Sequence, residues 1–175
     1  MAHISLYTFG IIKDSYRSEA MKEFSRSASA VFAAAATAEG FVAHAGQSRP
    51  DLRGAVEIGQ DYGPWGSYVV PRFFDRSREA DGASRVQTLS LWRDVEVARK
   101  FSYSGLHRAT LKRRSEWFER PQWPGYVLWW VSDEIIPTWS DGVRRLEMLA
   151  DEGPTASGFD FAHPHDSEGH PQMTN

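Results

Sequence analysis

Cysteine is absent from this 175-residue sequence, which removes disulfides, thiolate metal sites and a cysteine nucleophile together. That absence is compatible with a reducing cytoplasm. No apolar run approaches the roughly 18 residues that span a bilayer. The opening MAHISLYTFGIIKD lacks the charged start, apolar stretch and small-residue cleavage site of a signal peptide. A cytoplasmic protein with no membrane partner is the expectation. An excess of positive charge is missing too: the formal net charge is −3, so no global field draws the chain to nucleic acid. The densest basic run, Arg108, Lys112, Arg113 and Arg114, has Glu116 and Glu119 close behind and reads as a solvated helix face. There is no GxSxG elbow, HExxH pair, GxxxxGKS/T phosphate loop or dinucleotide fingerprint. Neither a tightly bound organic cofactor nor a metal is therefore expected.

What is present is aromatic. Seven Trp, six Tyr and ten Phe exceed what simple packing requires, and such side chains also wall pockets for flat apolar ligands. At 41% hydrophobic the chain can bury the core of one domain with trimmings.

Residues 3–9 alternate as a first strand, with His3, Ser5, Tyr7 and Phe9 on one face and Ile4 and Leu6 on the other. A helix over about 18–38 carries Met21, Phe24, Ala28, Val31, Phe32 and Ala35 at helical spacing. Gly40 ends it, and residues 41–45 form a short strand. Residues 47–85 are irregular; DYGPWG at 61–66 and SYVVPRFF at 67–74 make this insertion aromatic, so it reads as a lid or pocket wall. Pro71 makes 67–74 an edge strand or an extended loop. Residues 86–92 form a strand, Asp94 opens a helix, and Gly105 breaks it before a segment over 106–118. YVLWWV at 126–131 is apolar on both faces and predicts a strand covered on two sides. Thr138 caps a last helix with Trp139, Val143, Leu146 and Leu149 inward, and Gly153-Pro154 stops it. Residues 159–162 add a short strand, and 163–175 form a flexible polar tail.

Two β-α-β units in this order predict an α+β, ferredoxin-like sheet with helices on one face. Alternation places Leu89 and Leu91 toward the helices with Ile4 and Leu6. Thr88, Ser90 and Trp92 would then share the other face with His3, Ser5 and Tyr7. A face mixing Trp, Tyr, Ser and His suits a second sheet packed across a partly polar cavity.

The segments YTFG near the start, PRFFD at 71–75, LSLWRDVE at 89–96, FSYSGLHR at 101–108, EWF at 116–118, VLWWV at 127–131 and RLEMLADEGPT at 145–155 act together. With the FDF that follows, they reach from the first strand to about residue 162. In this the sequence resembles a bacterial domain-of-unknown-function family placed in the dimeric α+β barrel superfamily of antibiotic-biosynthesis monooxygenases and haem-degrading enzymes. The resemblance implies a homodimeric barrel over 1–162, with 47–85 as insertion and an extra C-terminal helix. It brings no established reaction. Superfamily members often place a His after a strand ending in Trp and a following helix, and in haem-degrading members it ligates iron. Here that position falls on His107, although SGLHR differs from the usual local motif.

His107 is accordingly the first candidate for acid, base or ligand chemistry, against a His bonded to backbone at the break after Gly105. Tyr103, one turn earlier, orients the imidazole, meets a ligand oxygen or simply packs. Arg72, beside Pro71 and Phe73, clamps a carboxylate or phenolate, or pairs with Asp75 or Asp61. Trp65, Phe73, Tyr7, Ser90, Trp92 and Trp130 are the expected substrate-binding residues; Trp129 and Trp130 point to opposite faces. His163, His165, Asp166 and His170 have metal-like spacing but no fixed surroundings. The expectation is a cofactor-free oxygenase or cyclase of secondary metabolism acting on a hydrophobic aromatic or polyketide-like substrate. Haem binding through His107 and a non-catalytic ligand-binding module are the alternatives.

Overall fold

A computed structural model describes residues 1–15, 18–48, 56–81 and 85–173. The elements run β1 (Ala2–Ile11), α1 (Glu19–Ala36), β2 (Phe41–His44), α2 (Ala45–Ser48), β3 (Arg85–Trp92), α3 (Val95–Ser102), α4 (Gly105–Lys112), α5 (Arg114–Trp117), β4 (Tyr126–Ser132) and α6 (Trp139–Glu152). Short 3₁₀ turns lie at Gly63–Trp65 and Arg76–Asp81. The strands form one antiparallel sheet in the order β2-β3-β1-β4, compatible with a ferredoxin-like arrangement. Parts of the expected 47–85 insertion (49–55 and 82–84) lie outside the described residues.

Local chemistry sets most of the boundaries. The Ser18 hydroxyl accepts from Met21 N at the start of α1, and the Asp94 carboxylate accepts from Val97 N at the start of α3. Gly105, at φ +51°, separates α3 from α4, as its position implied. Thr138 and Asp141 form a reciprocal capping box on α6. Residues 67–74 are loop rather than sheet: Ser67 bridges back to Asp61, and among the described residues the segment has no ladder pairing with a strand. The expected strand at 159–162 reduces to one bridge, Phe159 with Leu128.

The sheet is covered on both faces. On one, Ile4, Leu6, Trp92, Leu128 and Phe159 pack beneath α1 and α3. This is the α1 face. On the other, Tyr7, Phe9, Leu89, Leu91, Val127 and Trp129 pack beneath α6 and the segment 56–74. This is the α6 face, and 56–74 is its cover. Each fully buried large side chain contributes about 1.5–3 kcal/mol, and each face holds several.

One expectation is corrected here. β3 pairs with β1 so that Ser5 opposes Leu91 and Tyr7 opposes Leu89, while Ile4 opposes Trp92. Leu89 and Leu91 therefore lie with Ser5 and Tyr7, and Thr88, Ser90 and Trp92 lie with Ile4 and Leu6. Alternation says which residues of one strand share a face, but not how two strands are matched. A one-residue difference in register exchanges the faces.

Nor does the α6 face open onto a cavity awaiting a second sheet, since α6 and the cover occupy it. Gly142 lets α6 approach: a Cβ there would sit 2.7 Å from the Tyr7 ring. At the expected tail, Pro164 and His165 pack inward and the His165 carbonyl accepts from Trp130 Nε1 at 2.8 Å.

Candidate functional site

The nine residues singled out by sequence do not converge on one place. Ser90, Trp92 and Trp130 belong to the α1 face, and Tyr103 and His107 flank α3 and α4 beside it. Trp92 is buried, donating Nε1 to Ser90 Oγ at 3.0 Å. His107 is half-buried; its Nδ1 lies 2.7 Å from the Ser102 carbonyl and its ring packs on Phe101. A carbonyl only accepts, so Nδ1 carries the proton and Nε2 the lone pair. Burial pushes this imidazole down from its ordinary pKa, with the Ser102 bond opposing. Tyr103 is exposed, edge-on to Phe161 and hydrogen-bonded to Tyr126, whose phenol is pushed up mainly by burial.

Tyr7, Trp65, Arg72 and Phe73 lie on the α6 side. Trp65 is buried in the cover. Phe73 stacks on Trp123 with centroids 5.4 Å apart. Arg72 is exposed and paired with Asp151 of α6, while its backbone N–H donates to Glu147 Oε1 at 2.7 Å. It pins the cover to α6, and its partner is neither Asp75 nor Asp61.

Two features of this side were not anticipated. The first is a groove of about 410 Å³ where β1 begins and β3 ends. His3, His44, Trp65, Leu91, Ile135 and Ile136 line it, with Asp133 at the rim. Val42, Ile135 and Ile136 are exposed large apolar side chains, and all three sit here. His44 opposes Ser90 of β3, so it lines the groove from the edge strand β2 while its ring turns toward the α1 face, between Phe32 (5.1 Å) and Phe41 (5.9 Å). A Cβ at Gly46 would come within 3.0 Å of that ring, so the glycine clears space for the imidazole. Burial lowers the His44 pKa, which keeps the ring neutral at pH 7 and able to accept a proton. The groove draws on five separate segments, and no local motif marks it.

The second feature is a buried polar cluster near the other end of the same face. Arg85 is 3% exposed and lies over the rings of Phe74 (5.0 Å) and Tyr68 (5.4 Å). Its Nη2 donates to the Val56 carbonyl at 2.8 Å and pairs with Glu79 at 2.9 Å. Tyr7 donates its hydroxyl to Gln87 Oε1, and Gln87 Nε2 donates to the Val69 carbonyl at 3.1 Å. Burial raises both Tyr7 and Tyr68, with Arg85 opposing, so both phenols keep their protons.

Among the described residues no group of three or more His, Asp or Glu could hold a metal ion. The tail histidines pair locally instead, His163 with Asp160 (2.9 Å) and His170 with Asp166 (3.3 Å). Among the described residues no helix is long and apolar enough to cross a membrane.

A family model described as Domain of unknown function (DUF3291) matches residues 3–175. The chain belongs to this family. No curated protein and no solved structure matches it. In this DUF3291 chain the groove and the buried cluster are the features with chemistry to offer.

Proposed function

We propose that the protein takes a flat, hydrophobic small molecule into the groove of the α6 face and moves a proton on it without a tightly bound organic cofactor. The observation that carries this reading is a half-buried imidazole, His44, at the β2 edge of a groove lined by Trp65, Leu91 and two isoleucines, with its ring held between Phe32 and Phe41. Apolar walls hold the ligand, and a half-buried proton acceptor at their edge is partly shielded from water. Abstraction from an activated C–H or a phenol is a step common to oxygenation, cyclisation and rearrangement of aromatic or polyketide-like substrates. His3, which lines the same groove, would return the proton. This reading agrees in kind with the monooxygenase-like resemblance, but it moves the chemistry from His107 to His44.

The test is binding followed by turnover. Neutral flat ligands such as 2-naphthylmethanol should quench the Trp fluorescence, and Ala43→Trp, which fills the groove, should abolish the quenching. With a turned-over substrate, His44→Gln should lower kcat by roughly 10²-fold or more. Binding that persists while no aromatic or polyketide-like substrate turns over would favour a ligand-binding module.

Haem suits the structure less well. His107 packs against Phe101 and turns its Nδ1 to the Ser102 carbonyl, away from the groove. Haem titration is expected to leave the spectrum without a Soret shift. A homodimeric barrel closed over the α6 face would need α6 and the cover to withdraw. The exposed Val42, Ile135 and Ile136 offer a second copy a different contact, which sedimentation would detect.

A further inference from the structure

Hydrogen-bond accounting separates the two ends of the α6 face. Among the described residues, eight buried side-chain nitrogen or oxygen atoms have no hydrogen-bond partner. Six belong to this face and its surroundings: Ser5 Oγ, Arg85 Nε, Arg85 Nη1, Trp123 Nε1, Trp139 Nε1 and Arg145 Nε. All but the serine are pure donors, unable to satisfy one another. Two sets of them flank a single ring. The Arg85 guanidinium lies 5.4 Å from the Tyr68 centroid, and the Trp139 ring lies 5.0 Å from it. The Arg85 side chain is 1% exposed and holds Glu79, the Val56 carbonyl and the Tyr68 hydroxyl, yet its Nε and Nη1 have no partner. A buried cation with unmatched donors is costly, and in native structures such a group calls for an acceptor.

We propose that this interior is an oxyanion subsite, in which Arg85 and the Trp139 indole N–H take the carboxylate of a flat hydrophobic acid. The ring of the acid would lie among Tyr62, Tyr68 and Trp139, where both tyrosines meet the indole edge to face at 5.3 and 5.0 Å and stack on each other at 5.9 Å. Entry requires the cover to lift. Four polar contacts tie it down: Arg85 to the Val56 carbonyl, Gln87 to the Val69 carbonyl, the Arg72 N–H to Glu147 and the Arg72 guanidinium to Asp151. The subsite lies at the end of β3 away from the groove, so it stands independently of proton transfer at His44.

The experiment compares 2-naphthoate with 2-naphthylmethanol on the full chain, by calorimetry and Trp fluorescence. The acid should bind roughly tenfold more tightly or better, as a charge-assisted hydrogen bond warrants. Trp139→Phe keeps the ring and deletes the donor, and should weaken the acid several-fold while leaving the alcohol unchanged. Arg85→Met should erase the preference for the acid. Should Arg85→Met fail to fold, hydrogen exchange on the unaltered protein decides: naphthoate should slow exchange across 68–74. Equal affinity for acid and alcohol overturns the subsite and leaves the groove reading standing. So does a preference for the acid that survives both substitutions, or naphthoate binding that leaves exchange at 68–74 unchanged. No binding of either probe overturns both readings.

Discussion

The indoles of the two sheet faces are treated differently. On the α1 face Trp92 donates to Ser90 and Trp130 to the His165 carbonyl, so each buried N–H has an acceptor. On the α6 face the N–H groups of Trp123 and Trp139 have none. The same sheet therefore carries one side whose indoles are satisfied, with Arg99 Nε and His165 Nδ1 as its unpartnered atoms, and another where the greater share of unspent polarity lies beneath a loop. Core residues favour mutual satisfaction, whereas binding sites keep groups in reserve for something that arrives later. The difference points to the α1 face as the seat of stability and the α6 face as the seat of function.

That division can be broken by substitution, and the largest effect is expected on the α1 face. Trp92→Ala removes a fully buried indole and should cost about 3–5 kcal/mol in urea unfolding. Under conditions where the variant stays folded, naphthylmethanol binding should be unchanged; a parallel loss of affinity would argue that the two faces are not separate. Gly142→Ala attacks the other side by driving a Cβ into Tyr7. Overpacking of this kind costs about 1–3 kcal/mol, and the near-ultraviolet signal of Trp139 should change with it. Thr138→Ala dismantles the α6 capping box for about 1 kcal/mol, measured as a shift in the urea midpoint. Naphthoate should then bind somewhat more weakly, because α6 carries Trp139.

Acid should act on both sides by the same sign. The pKa values of His44 and His107 are lowered in the folded state by burial, so the unfolded chain binds their protons first. Their neutral forms are fully accommodated above the unfolded value of about 6.5. Stability then falls as pH drops through that value toward the lowered folded ones. His107→Gln should remove its share of this slope without touching the groove, whereas His44→Gln should change both slope and binding. The smallest effect is expected from Arg72→Ala: its pair with Asp151 is exposed to water, and the urea midpoint should hardly move.

Much of the architecture was legible from local chemistry. The alternation in 3–9, the doubly apolar YVLWWV, Asp94 and Thr138 as caps and the break at Gly105 all report interactions within a few residues, and such interactions survive into the fold. The pairing of Tyr7 with Leu89 was not legible, because register depends on how the helices and cover dock on the two faces. His107 was placed on the correct side of the Gly105 break, but its ring turned to the Ser102 carbonyl, as one of its two readings allowed. His44 and Ile135 become neighbours only when separate segments fold back on the sheet. Arg85 carried no sequence signal at all: an arginine beside an irregular stretch ordinarily reads as solvent-exposed.

Gly142 against Tyr7, and Ile4 beneath the helices, leave β1 with no side open to water. Its edges are taken by β3 and β4 and its faces by α6 and α3. Amide protons in the middle of this strand can reach deuterium only when the whole molecule opens. Their exchange rates should therefore read out the global unfolding free energy directly. The amides of the cover, tied down by a few polar bonds, should exchange through smaller openings and set the clock for ligand entry.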